Sequence, residues 1–160
     1  MFKKKTENYF ILYAYLSSIF VILFALYFQY FKNFPPCELC IYQRIPYIII
    51  ILICSVNFFL AINHKFLFLF ISIIYFASFI VSGFHFGVEQ SWWTFKSSCS
   101  NTLNDFENID ELRNFLEEVP ITKCNEVILS FYGLSMAGYN VLYSLVNFII
   151  SIFYIRRSND

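Results

Sequence analysis

The chain has 160 residues, of which 59% are hydrophobic, 22% aromatic and only 14% charged, and its formal net charge is zero. A water-soluble domain carries about 25% charged residues, and 22 Phe with 12 Tyr cannot all be hidden in one soluble core of this size. With a mean hydropathy of +0.61 the chain falls in the membrane class, and its few scattered basic residues exclude a nucleic-acid binder.

A helix needs about 20 apolar residues to cross a bilayer. Four segments meet that need, at roughly 9–31, 41–62, 66–88 and 134–155. The first holds no charge and has Gln29 near its end. The apolar core of the second, 45–62, is slightly short, so this span is expected to begin inside the Cys-x-x-C motif near Ile41; it contains Cys54 and Asn57. The third carries only His85, and the fourth is interrupted by Gly138, Asn140 and Asn147. Before the first span, Lys3, Lys4 and Lys5 imitate a signal peptide, but the apolar stretch is too long and lacks a small-x-small cleavage site, so an uncleaved anchor is expected.

If the four helices alternate, those lysines fall on one side with Lys65, Arg156 and Arg157, as the positive-inside rule requires. That side is expected to be cytoplasmic and to hold both termini. The outer side receives a short loop, 32–40, and a long loop, 89–133, with eight acids against Lys96, Arg113 and Lys123. Within the long loop, Phe106, Ile109, Leu112, Leu116 and Val119 recur at helical spacing before Pro120, which predicts a short amphipathic helix over 105–119. Trp92 and Trp93 read as interfacial anchors. The expected fold is all-α, a polytopic membrane four-helix bundle forming a single domain over 1–160.

The chemistry lies in five cysteines, Cys37, Cys40, Cys54, Cys99 and Cys124. Four fall in outer loops or at a helix mouth, while Cys54 sits within an apolar run and reads as a small core filler. Two pairs and a spare are the simplest account, and an oxidising outer compartment would let the pairs form disulfides. Cys37 and Cys40 are two apart at a helix start, just after Pro35 and Pro36. Free N–H groups there favour a thiolate. Arg44, four residues beyond Cys40, shares its face on a continuing helix. Its guanidinium can stabilise that thiolate or bind a carbonyl oxygen of a cofactor, and the plainer alternative is a snorkelling residue at the membrane edge. Glu38 opposes a thiolate unless it turns to water.

Other classes remain open at this point. A zinc site needs four ligands, and Cys99 and Cys124, 25 positions apart, are unlike the second half of a zinc ribbon. A tetraspan scaffold with structural disulfides is a further alternative, although a Cys-x-x-C ring is small and strained for that purpose. Cys99, in Ser97-Ser98-Cys99-Ser100-Asn101, lies in a polar stretch that a partner protein could reach. His85 and Glu89 share a helical face and could bind a quinone, move a proton or simply cap the helix end. Gly133, Ala137 and Gly138 read as close-packing positions between helices.

Taken together, Cys37-Glu38-Leu39-Cys40-Ile41-Tyr42-Gln43-Arg44, four spans, and Cys99 with Cys124 in the second outer loop resemble the bacterial disulfide-bond-formation protein B (DsbB) family. His85-Phe86-Gly87-Val88-Glu89 with Trp92-Trp93, and Gly133 to Asn140, are similar to patterns flanking that loop. The resemblance covers nearly the whole chain. It implies an inner-membrane thiol-disulfide oxidoreductase that reoxidises a soluble periplasmic, DsbA-like thioredoxin-fold oxidase and passes electrons to a membrane quinone, ubiquinone or menaquinone. It further implies that Cys99 forms the mixed disulfide with the partner, Cys124 is its mate, Cys37 exchanges with that pair, Cys40 faces the quinone and Arg44 binds it. No resident metal is implied. Gln90 stands where some members carry a histidine, so no quinone role passes to Gln90 or His85.

Overall fold

The computed structural model of the chain describes residues 2–60, 63–95, 124, 127 and 129–159, with the backbone alone at 2–6, 158 and 159. Cys99 and the amphipathic helix expected over 105–119 lie outside the described residues.

Helix α1 runs Phe2–Tyr30. Pro35 and Pro36 then hold the chain extended until Cys37, which caps α2, Glu38–Tyr42. Helix α3, Ile45–Leu60, follows after a break at Gln43 and Arg44. Pro46 accounts for the break, because it has no N–H for the carbonyl of Tyr42 and its ring crowds that oxygen. Helix α4, His64–Glu89, starts at Asn63, whose side chain accepts from the Lys65 N–H at 3.0 Å. After the long loop come strands β1, Ser130–Phe131, and β2, Leu134–Ser135, and then helix α5, Met136–Asn159.

Four helical stretches are long and apolar enough to cross a membrane: Glu7–Tyr30, Glu38–Leu60, His64–Glu89 and Met136–Arg157. The second is α2 and α3 taken together. It starts inside the Cys-x-x-C motif, as expected, because capping by Cys37 opens a helical turn before the apolar run begins.

Helix α4 packs most extensively on α5, and α1 packs on α3. The core joins Phe10, Ile11 and Ala14 of α1 to Tyr47, Ile50 and Cys54 of α3 and to Leu67, Phe68, Ile71 and Tyr75 of α4. Phe20, Phe59 and Phe153 face outward, where lipid is as good a solvent for them as the interior. Hydroxyls accordingly sit inside: Ser78 of α4 meets Ser144 of α5 at 2.9 Å, and both approach the Tyr47 hydroxyl of α3.

One glycine departs from the expected pattern. Tyr132 and Gly133, with φ of 47° and 79°, form the two-residue turn that pairs Phe131 with Leu134. Both positive angles mark a type I′ hairpin, which needs glycine or a small polar residue at the second position. Gly133 is thus a turn residue, not a close-packing one: a Cβ there would meet nothing. Gly138 does pack closely, since a Cβ there would lie 3.1 Å from the Phe86 ring of α4, and Gly87 is a second such site. A Cβ on it would lie 2.1 Å from the ring of Trp93, which folds back on α4 and donates to the Phe84 carbonyl at 2.9 Å.

Candidate functional site

One end of the bundle gathers the loop before α2, the α2–α3 joint, the end of α4 and the start of α5. Cys37 is the N-cap of α2; its sulfur accepts from the Cys40 backbone N–H at 3.3 Å. The two sulfurs lie 2.9 Å apart, with Cys37 donating to Cys40. The two are not joined by a disulfide in this structure, and both cysteines are free. Glu38, the expected opponent of a thiolate, points away and accepts from the Tyr42 hydroxyl at 3.1 Å on the exposed face.

Cys37 is 3% exposed and shares a small buried cluster with Leu39, Val88 and Cys124. Its hydrogen bond to Cys40, together with burial, pushes the Cys37 thiol up from the ordinary 9.0 to about 12, while His85 pulls the other way. Burial likewise raises the Cys124 thiol to about 11, against the backbone N–H of Leu39, which favours its thiolate. Cys124 therefore rests beside Cys37 and against the first turn of α2, although the two are far apart in sequence.

Arg44 reaches α1, where its Nη1 donates to Gln29 Oε1 at 2.6 Å. Together with Cys37, Cys40 and His85 it lines a cavity of about 650 Å³. Most of the cavity wall is apolar and aromatic: Phe20, Phe24 and Phe28 of α1 on one side, Phe131 of the hairpin and Met136 of α5 on the other. The α2–α3 joint breaks the continuous helix assumed for Cys40 and Arg44, yet both still face this cavity.

Around the sulfurs is a set of polar contacts that the sequence did not disclose. His85 Nε2 lies 3.5 Å from Cys37 Sγ, and Gln43 Nε2 lies 2.8 Å from His85 Nδ1. Asn140 Nδ2 donates to Gln43 Oε1 at 3.1 Å, and the Tyr47 hydroxyl donates to Asn140 Oδ1. Glu89 is 3.8 Å from His85 Nε2 and accepts from Ser135. Polar residues within apolar spans were the available signal, since such groups are costly in lipid without partners; which groups they meet depends on four separate segments.

The ligand atoms of Cys37, Cys40 and His85 all lie within 4.8 Å of one another. Two thiolates on a tetrahedral zinc, at about 2.3 Å each, would stand about 3.8 Å apart, well beyond the 2.9 Å seen here. The spacing instead brings the two sulfurs close enough to bond to each other. A lipid-embedded four-helix bundle with paired thiols at its mouth defines a multi-pass membrane protein built for thiol chemistry. The chain belongs to the disulfide bond formation protein DsbB family, which it matches over residues 7–154, a stretch that includes every described span almost entire. It is also similar to an uncharacterized protein, RP370, of Rickettsia prowazekii (strain Madrid E), at 27% identity over 97% of this chain and 94% of that one. No solved structure matches it. Disulfide bond formation is therefore the activity of its family.

Proposed function

We propose that the protein is a protein-dithiol:quinone oxidoreductase, reoxidising a soluble periplasmic DsbA-like oxidase of thioredoxin fold and delivering the electrons to a membrane quinone. The observation that carries this reading is a dithiol bordering an apolar, aromatic cavity of about 650 Å³ with a guanidinium at its side. That volume and lining suit a flat, lipid-soluble ring whose one polar edge needs a donor. Arg44 is the residue to hold a ring oxygen, and Cys40 the sulfur to face the ring. A bound quinone, ubiquinone or menaquinone, would supply the two-electron, two-proton sink that returns the dithiol to a disulfide.

The protein's own steps are disulfide exchanges. A thiolate of the partner attacks Cys99, and Cys124 leaves with the electron pair. The partner's second thiolate then closes its own disulfide and releases Cys99. The Cys124 thiolate attacks Cys37 of a Cys37–Cys40 disulfide, and Cys40 leaves. Finally Cys99 attacks Cys124, restoring the loop pair and freeing Cys37. Two electrons have moved from the partner to Cys37 and Cys40, and the contact between Cys124 and Cys37 is what this relay requires. With Lys65, Arg156 and Arg157 at the opposite end of the bundle, both termini are cytoplasmic and the site is periplasmic.

The test mixes the purified protein in lipid nanodiscs with a reduced thioredoxin-fold oxidase and a soluble quinone analogue, and follows quinone absorbance. Turnover in the parent and none in Cys40→Ser is the expected result. Equal quinone reduction in both would overturn the assignment.

A further inference from the structure

The contacts behind Cys37 form one chain with one direction. The Tyr47 hydroxyl has a single proton, and it is used on Asn140 Oδ1. Asn140 must then turn its NH₂ to Gln43 Oε1, and Gln43 its NH₂ to His85 Nδ1. With Nδ1 accepting, a singly protonated imidazole carries its hydrogen on Nε2, the nitrogen 3.5 Å from the Cys37 sulfur. Tyr47 is 1% exposed and His85 3%, so water does not compete for these partners. Tyr47 is itself held in place by Ser78 and Ser144.

We propose that His85 is a catalytic residue for Cys37: its Nε2–H donates to the Cys37 sulfur and makes the thiolate accessible, and Tyr47, Asn140 and Gln43 are positioning residues that hold His85 in that tautomer. Cys37 needs such help. Its thiol proton is directed at Cys40, and burial further disfavours its charge. With the backbone N–H of Cys40, His85 gives the sulfur a second donor. When Cys99 attacks Cys124 and frees Cys37 from the mixed disulfide, the departing Cys37 thiolate is received between these two donors.

Among the described residues, the charged and titratable groups facing His85 are few. Glu89 on its own helix is 3.8 Å away and is occupied by Ser135. Cys37 and Cys40 face it from the loop and α2; Cys124 lies beyond Cys37, and Arg44 is engaged with Gln29. From α3 and α5, the described residues nearest the chain of contacts are the phenol of Tyr47 and the neutral Asn140.

This inference rests on the dithiol function proposed above, but its test needs neither partner nor quinone. In a Cys40→Ala background, kept reduced in nanodiscs, iodoacetamide labelling of Cys37 is followed against pH by mass spectrometry. Cys54, fully buried in α3, reports on the fold and must stay unlabelled. His85→Ala is expected to slow Cys37 labelling at neutral pH about tenfold, a shift of about one pH unit in the profile. His85→Gln, which keeps an N–H donor, should recover most of that loss, and Tyr47→Phe should cost about two- to threefold. An unchanged Cys37 profile in His85→Ala with Cys54 still protected overturns the proposal. If His85→Ala exposes Cys54, the decision passes to the other two: a parent-like profile in Tyr47→Phe, or no Cys37 labelling in a folded His85→Gln, also overturns it. A shifted profile in a protein that turns over no quinone would sink the proposed function and leave this inference standing.

Discussion

The two ends of the bundle are built on opposite principles. At the end away from the cysteines, Phe10 stacks on Tyr154 at 4.5 Å and meets Phe68 edge-on at 5.7 Å, contacts selected by shape. At the cysteine end, Gln29, Gln43, His85 and Asn140 each bind a named atom on another segment. In lipid, apolar side chains gain little by leaving the solvent, whereas a polar group without a partner is costly. Packing therefore fixes the position of the aromatic end, while hydrogen-bond partners fix both position and proton location at the cysteine end. Chemistry needs the second kind of order.

The largest separation of the two comes from paired variants. Cys37→Ala should abolish catalytic turnover of the partner, leaving at most one equivalent oxidised, with the thermal unfolding midpoint almost unchanged. Phe68→Ala should do the reverse, losing about 1–3 kcal/mol of stability, mostly cavity cost because lipid weakens the transfer term, with normal turnover per folded molecule. If Phe68→Ala cut turnover as deeply as Cys37→Ala, the two ends would not be independent. Next in size, Arg44→Ala should raise the quinone concentration for half-maximal rate about tenfold with little change in maximal rate, as loss of one charged hydrogen bond predicts.

A pH titration sharpens the contrast further. Cys37 and Cys124 are raised from 9.0 to about 12 and about 11, so the folded protein binds their protons more tightly than the unfolded chain does. Their contribution to stability is complete below pH 9 and is lost as pH rises toward 11 and 12. Denaturation in that window should ease in the parent and ease less in a Cys37→Ala, Cys124→Ala double variant; identical pH curves would contradict the burial of these thiols. The smallest effect is expected at mid-bundle. A double-mutant cycle on Ser78 and Ser144 should give a coupling near ~0.6 kcal/mol, typical of an interhelical hydrogen bond in a membrane.

Span number and the motif that opens the second span were legible because hydropathy and prolines are local properties of the chain. Cys54 lies in the core, as its apolar setting suggested. The hairpin at Ser130–Phe131 and Leu134–Ser135 escaped notice, since two-residue strands carry no periodicity and Tyr132 is an unusual residue at positive φ. At the site, spacing along the sequence gave Cys37 with Cys40 and His85 with Glu89. It could not give Gln43 on His85 or Cys124 against Cys37, because those contacts depend on how α2, α4, α5 and the long loop converge. Gln29 was visible only as a polar residue near a span end, and its tie to Arg44 depends on where the α2–α3 joint points.

That joint has a mechanical side. Because Pro46 withholds an N–H from the Tyr42 carbonyl, the turn bearing both sulfurs is hinged to α3 instead of being rigidly continuous with it. Pulling on Cys37 from the loop would tilt a five-residue segment about Gln43 and Arg44 and leave the buried length of α3 undisturbed.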